Sequence, residues 1–162
     1  MRPSTNKADL QKYDDSIYLG KKVTRAAADV FDGTQTALFT VAGGKVMVTA
    51  LIGEVTTAAV DAAESNTSFV TNPTQGTDAA MCGVLDINAD EKDSIYACSN
   101  DPAVALYGGS GGGASAIFSK GYIVPEGTID LLSAADVGTG GALGAFELWY
   151  FPIDDGATVV ST

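Results

Sequence analysis

Two cysteines, twenty carboxylates and several glycine runs are the groups from which this 162-residue sequence could build chemistry, and it contains no histidine. That absence removes the commonest general base and a frequent metal ligand at neutral pH. Ser-His-Asp, Cys-His and His-based zinc sites are therefore excluded. Cys82 and Cys98 lack C-x-x-C spacing, and each lies in an apolar, strand-like run. Buried free thiols in a reducing compartment are the expected state, ahead of a disulfide. A tetrahedral structural zinc would need carboxylates to complete its ligand set, which is uncommon. No catalytic residue, metal or cofactor is expected.

Three other patterns resemble sites by spacing alone. Tyr107-Gly108-Gly109-Ser110-Gly111-Gly112-Gly113-Ala114 is as glycine-rich as a phosphate cradle, but Ala114-Ser115 stands where a P-loop requires Lys followed by Ser or Thr. A mobile loop is the preferred reading. The segment Asp86 to Asp93 alternates oxygen ligands like the first half of a calcium loop. It carries Glu91 where that loop needs glycine and Ala97 where it needs glutamate. A weak surface cation site is one reading, and an acidic Asx-rich turn is the preferred one. The adjacent pairs Asp14-Asp15 and Asp154-Asp155 do not face each other across a substrate, as glycosidase carboxylates must.

Charge then bounds the partners. The formal net charge is −11, with nine Lys and Arg in total, which argues against binding nucleic acid or an anionic membrane. The first 25 residues are nevertheless net +3, through Arg2, Lys7, Lys12, Lys21, Lys22 and Arg25 against three aspartates, leaving −14 on the remainder. A basic segment on an acidic body predicts an arm lying across an acidic neighbour, with these six cations making the contacts. There is no apolar leader and no apolar run of membrane-spanning length, so synthesis in the cytoplasm is expected.

The elements that must position these groups read as strands. Hydrophobic residues make up 46% and charged residues 18%, enough apolar content to fold, and the Gly, Thr, Val and Ala content favours strands over a helical bundle. Residues 1–20 form the expected extended arm and residues 21–162 a single β-sandwich domain of jelly-roll type, all-β in class. Thr36 to Ala42 and Lys45 to Thr57 flank Gly43-Gly44 and predict a hairpin, the second strand being central because both its faces are apolar. Ala58 to Glu64 is the one helical stretch. Further strands are expected at Ser68 to Thr71, Met81 to Ile87, Ser94 to Cys98, Ala103 to Tyr107, Ala114 to Val124, Thr128 to Ala134, Ala145 to Ile153 and Ala157 to Ser161. Gly108 to Gly113 and Gly138 to Gly144 are read as surface loops. The aromatic run Ala145 to Ile153, with the only Trp, is expected to form core, with Glu147 at an edge or paired.

The ending Leu148-Trp149-Tyr150-Phe151-Pro152-Ile153-Asp154-Asp155-Gly156-Ala157-Thr158-Val159-Val160 resembles the close of small β-rich virion proteins of tailed bacteriophages. Val41 to Val46, Ile52 to Thr57 and the turn Val124-Pro125-Glu126-Gly127-Thr128-Ile129 are similar to the same proteins. The resemblance spans about residues 20–160 in style and carries no catalytic or binding signature. It implies a capsid decoration, or cement, protein on the exterior of the virion. Such a protein bridges subunits of the major capsid protein and forms a homo-oligomer, a trimer being favoured. Another virion part, such as a head fibre, tail or adsorption module, is the second expectation. A carboxylate-based glycan hydrolase is the third.

Overall fold

The computed structural model describes residues 19–57, 65–109, 113–114, 120–136 and 144–162. Among these, twelve strands follow one another: β1 Lys21–Ala28, β2 Gln35–Ala42, β3 Val46–Val55, β4 Asn66–Pro73, β5 Ala79–Ala80, β6 Leu85–Asp86, β7 Ile95–Ala97, β8 Tyr107–Gly109, β9 Tyr122–Val124, β10 Gly127–Ser133, β11 Gly144–Pro152 and β12 Thr158–Ser161. No helix occurs among the described residues. The class is all-β, as the β-branched runs and glycine punctuation predict.

The strands form two antiparallel sheets that share one core, a β-sandwich. The first runs β1-β11-β3-β7-β8, with β9 beside β7 along the same edge of β3. The second runs β12-β2-β10-β4-β5, with β6 beside β5 along the edge of β4. The core draws on both: Phe39, Phe69, Ile129 and Leu131 from the second sheet meet Val48, Leu51, Phe146 and Leu148 from the first. Phe69 and Phe146 pack edge to face, with centroids 6.1 Å apart and planes at 86°. Gly53 lies opposite Phe146, and a Cβ there would stand 2.7 Å from the Phe146 ring.

The expected hairpin around Gly43-Gly44 is corrected. Its two strands exist, but β2 pairs with β10 and β12 while β3 pairs with β11, β7 and β9. The glycines, at φ 77° and 122°, turn the chain from one sheet into the other. Asp154 fixes this crossing by accepting from the Lys45 amide at 2.8 Å. A glycine turn between two apolar strands serves a hairpin or an arch equally well. Here Val41 and Val46 both point into the core across the arch, where they are almost fully buried.

β3 is central, as expected, but its alternation is interrupted. Trp149 pairs with Ala50 and Tyr150 with Val48, leaving Thr49 as a bulge. The extra residue shifts the inward set from Val46 and Val48 to Leu51, Gly53 and Val55. Leu38 plays the same part in β2, which is why consecutive Leu38 and Phe39 are both fully buried.

Several expectations move. The glycine run read as a loop begins inside a strand, since Tyr107, Gly108 and Gly109 form β8 against β7. Gly108 packs where a Cβ would stand 2.6 Å from the Tyr96 ring, so this glycine is required by packing. Met81 to Ile87 is a strand only at Leu85 and Asp86. Of the cations assigned to an arm, Lys21, Lys22 and Arg25 lie in β1, a paired strand of the sandwich. Arg2, Lys7 and Lys12 fall outside the described residues, as do most of the 1–20 arm, the helical stretch 58–64, the Asp14-Asp15 pair and residues 137–143.

Candidate protein-docking face

The register of the first sheet determines which side chains share its outward surface. Phe146, Leu148 and Tyr150 of β11 face the core, so Ala145, Glu147, Trp149 and Phe151 face outward. Cross-strand partners extend these into rows. Phe151, Met47 and Ile123 form one row; Lys22, Trp149 and Ala50 the next. Thr24, Glu147, Ile52 and Ala97 form the third, and Ala145, Glu54 and Ile95 the fourth. Directly opposed residues have Cβ atoms close enough to pack into a continuous surface.

That surface is mostly apolar. Trp149, Phe151, Met47, Ile52 and Ile95 are each half-buried by their neighbours alone, and Ile123 is 59% exposed. Between Ile52, Ile95 and the small Ala145 the face dips into a shallow hollow of about 280 Å³, bordered by Thr24, Glu54 and Glu147. Among the described residues Lys22 is the one cation of the face: its Nζ lies 2.6 Å from Glu147 Oε1 and 4.9 Å from the centre of the Trp149 ring. Both charged groups are over 40% exposed, so the pair adds little to stability. It does hold Lys22 against one face of the Trp149 ring.

The outward surface of the second sheet is mixed. Val160, Thr40, Thr128 and Asn72 form one row across it, Ala37, Asp130 and Val70 the next, and Gln35, Leu132 and Ser68 a third, with Val160 and Leu132 exposed. Gln35 Nε2 donates to Asp130 Oδ2 at 2.8 Å and to Asp78 Oδ2 at 2.9 Å, tying the segment before β5 onto this sheet. The first sheet thus presents aromatic, Met and Ile side chains in adjoining rows, while on the second sheet apolar and polar side chains alternate.

The groups that resembled sites are otherwise occupied. Asp86 Oδ1 accepts from the amides of Ser65, at 2.9 Å, and Asn88, at 3.1 Å, which makes an Asx turn. Asp90 is buried and accepts from the Tyr96 hydroxyl at 2.7 Å. Among the described residues no three metal-ligating side chains cluster. Asp154 serves Lys45, whose amide and ammonium hold its carboxyl below the usual range, while Asp155 takes no part. Cys82 and Cys98 are buried free thiols. A hydrogen bond to Cys82, together with burial, pushes the Cys98 thiol well up.

Sequence reasoning missed the face because it placed the whole aromatic run in the core. A signal was present: Glu147 shares its parity with Trp149 and Phe151, and a carboxylate on one side of a strand marks that side as outward. No protein-family model matches the chain, and comparison with curated proteins and with solved structures returns no match. Among the described residues no helix is long and apolar enough to cross a membrane.

Proposed function

We propose that the protein is a non-catalytic structural module of the capsid decoration type, which docks onto a shell of other protein subunits through the outward face of its first sheet. One observation carries this: the adjoining rows of aromatic, Met and Ile side chains around Trp149 and Ile52 on the outward face of the first sheet. Interface centres are enriched in aromatic residues and Met and depleted in charge, and contiguous apolar patches on soluble domains mark interaction sites. The acidic remainder of the molecule suits an exterior position facing solvent.

The strand order supports a jelly-roll reading of the sandwich. β1, β2, β3 and β4 alternate between the sheets, and β10 and β11 return to insert between β2 and β4 and between β1 and β3. Double-sheet jelly rolls of this kind are widely used in capsid architecture. The choice of a phage head, with the major capsid protein as partner and a homo-oligomer as the assembled form, rests on the resemblance of the Leu148 to Val160 ending.

The test is cosedimentation with purified heads that lack the protein. Saturable, stoichiometric binding that is lost in the Trp149→Ser/Ile52→Ser double variant, with its far-ultraviolet circular dichroism unchanged, is the expected result. Absence of binding overturns the decoration role, and equal binding by the variant overturns the face.

A further inference from the structure

β1 ends the first sheet. Among the described residues six of its eight residues pair with β11, Ala26 and Ala27 falling in a register irregularity, and no strand pairs along its other edge, which presents unpaired backbone donors and acceptors. The strand, Lys-Lys-Val-Thr-Arg-Ala-Ala-Ala, holds three of the nine cations in the chain and no acid. Lys22 and Thr24 lie on the outward face beside Trp149 and Glu147, and Lys22 already pairs with Glu147. Lys21 and Arg25 have the other parity, opposite the inward Tyr150 and Phe146.

Arg25 is the unusual member. Its Nε and Nη1 are buried at the flank of the sandwich, and neither has a hydrogen-bond partner. A guanidinium loses much of its hydration there without gaining an acceptor, and burial lowers its pKa from the ordinary value. A guanidinium left with unsatisfied donors favours a carboxylate as partner.

We infer that the free edge of β1 accepts an extended, acidic segment of a partner protein as an additional strand, with a carboxylate on Arg25. Main-chain hydrogen bonds supply the pairing and side chains of alternate parity supply the selectivity. The two parities specify the segment: carboxylates on the side of Lys21 and Arg25, and apolar side chains on the side of Trp149, where they extend the outward face. A second copy of β1 is a poor occupant, because it would set Lys and Arg against Lys and Arg. The edge is thereby guarded against self-association yet open to an acidic strand. This inference does not depend on the shell-docking reading, and its test uses no heads.

The probe is a capped peptide of four Glu-Val repeats, titrated into the intact chain and followed by amide hydrogen exchange and fluorescence anisotropy. Lys-Val and backbone N-methylated Glu-Val peptides serve as comparators. Saturable binding of the Glu-Val peptide, with slowed exchange across Lys21–Ala28, is expected, and Arg25→Gln should weaken it by about tenfold or more. Lys92→Gln, in the turn before β7 and separated from β1 by β11 and β3, should leave binding unchanged. Failure of the Glu-Val peptide to bind, equal binding of either comparator, or an unaltered affinity in Arg25→Gln overturns the inference.

Discussion

The hydroxyl of Tyr96 offers a quantitative check on how the docking face is held. Tyr96 lies opposite Gly53 and points inward, and its hydroxyl donates to the buried Asp90 carboxylate at 2.7 Å. This contact ties β7, which carries Ile95, to the turn before it. Tyr96→Phe removes one hydrogen bond to a charged group and leaves a buried acceptor oxygen without its donor, a loss of about 1.5–3 kcal/mol. For a chain of this size each kcal/mol moves Tm by about 2–4 °C, so a fall of roughly 3–12 °C is expected. Burial, with Asp90 adding to it, raises the Tyr96 pKa far above the ordinary tyrosine value. A group whose folded pKa is raised contributes stability that is complete below its unfolded pKa, about 10, and declines as pH rises beyond it. The difference between wild type and Tyr96→Phe should therefore be largest near neutral pH and shrink above about pH 10. Urea denaturation at pH 7, 9, 10.5 and 11, with Asp90→Ala and the double variant closing a cycle, measures both effects. A neutral-pH difference under about 0.5 kcal/mol, or strictly additive single and double variants, would refute the reasoning.

Gly53→Ala should destabilise by about 1–3 kcal/mol, because the added methyl meets the Phe146 ring at 2.7 Å; thermal melting and near-ultraviolet circular dichroism would register it. The carboxyls of Asp154, through the Lys45 amide, and of Asp32, through the Thr34 hydroxyl, are held below the usual range. Depressed folded pKa values confer stability that is present above about pH 4 and lost as pH falls through the folded values, so Asp154→Asn should blunt the acid limb of a stability-against-pH curve. Cys82 and Cys98, at 1% and 4% exposure, should resist iodoacetamide in the native protein and react once it is unfolded, as mass spectrometry would show. Gln35→Ala should release the segment around Asp78, seen as faster amide exchange there, because the side chain is the shared donor to Asp78 and Asp130.

The positions of several long strands were legible because turn chemistry brackets them: Thr36 to Ala42 and Thr128 to Ala134 differ from β2 and β10 by a residue at most at either end. Pairing was not legible. Gly43-Gly44 suits an arch as well as a hairpin, and only the distant partners β10 and β11 decide between them. Strict alternation gives the faces of β3 as far as Val48 and fails beyond it, since nothing in Val-Thr-Ala-Leu announces a bulge at Thr49. Met81, Cys82 and Ile87 were expected in one strand on apolar content alone. They are buried, yet Met81 and Ile87 are held by single amide bonds to Phe69 and Ser65, because burial does not require a ladder. Of the candidate site, Lys22 and Arg25 were nominated for their charge. Trp149 was noticed for its size, but its outward direction depended on the parity of Glu147.

The late insertion of β10 and β11 bears on how the chain acquires its structure during synthesis. Each of the first four strands waits for a neighbour from the other end of the sequence; the pair Lys22 and Glu147, for instance, is 125 positions apart. A nascent chain that has emerged through β9 holds two half-sheets, each missing the strand that fills the gap between its earlier members. Such non-local pairing makes folding slow and leaves apolar strands uncovered in the interval. The sandwich is thus expected to close only once β10 and β11 have emerged, and a chain truncated before residue 127 would leave the ribosome without the strands that close it.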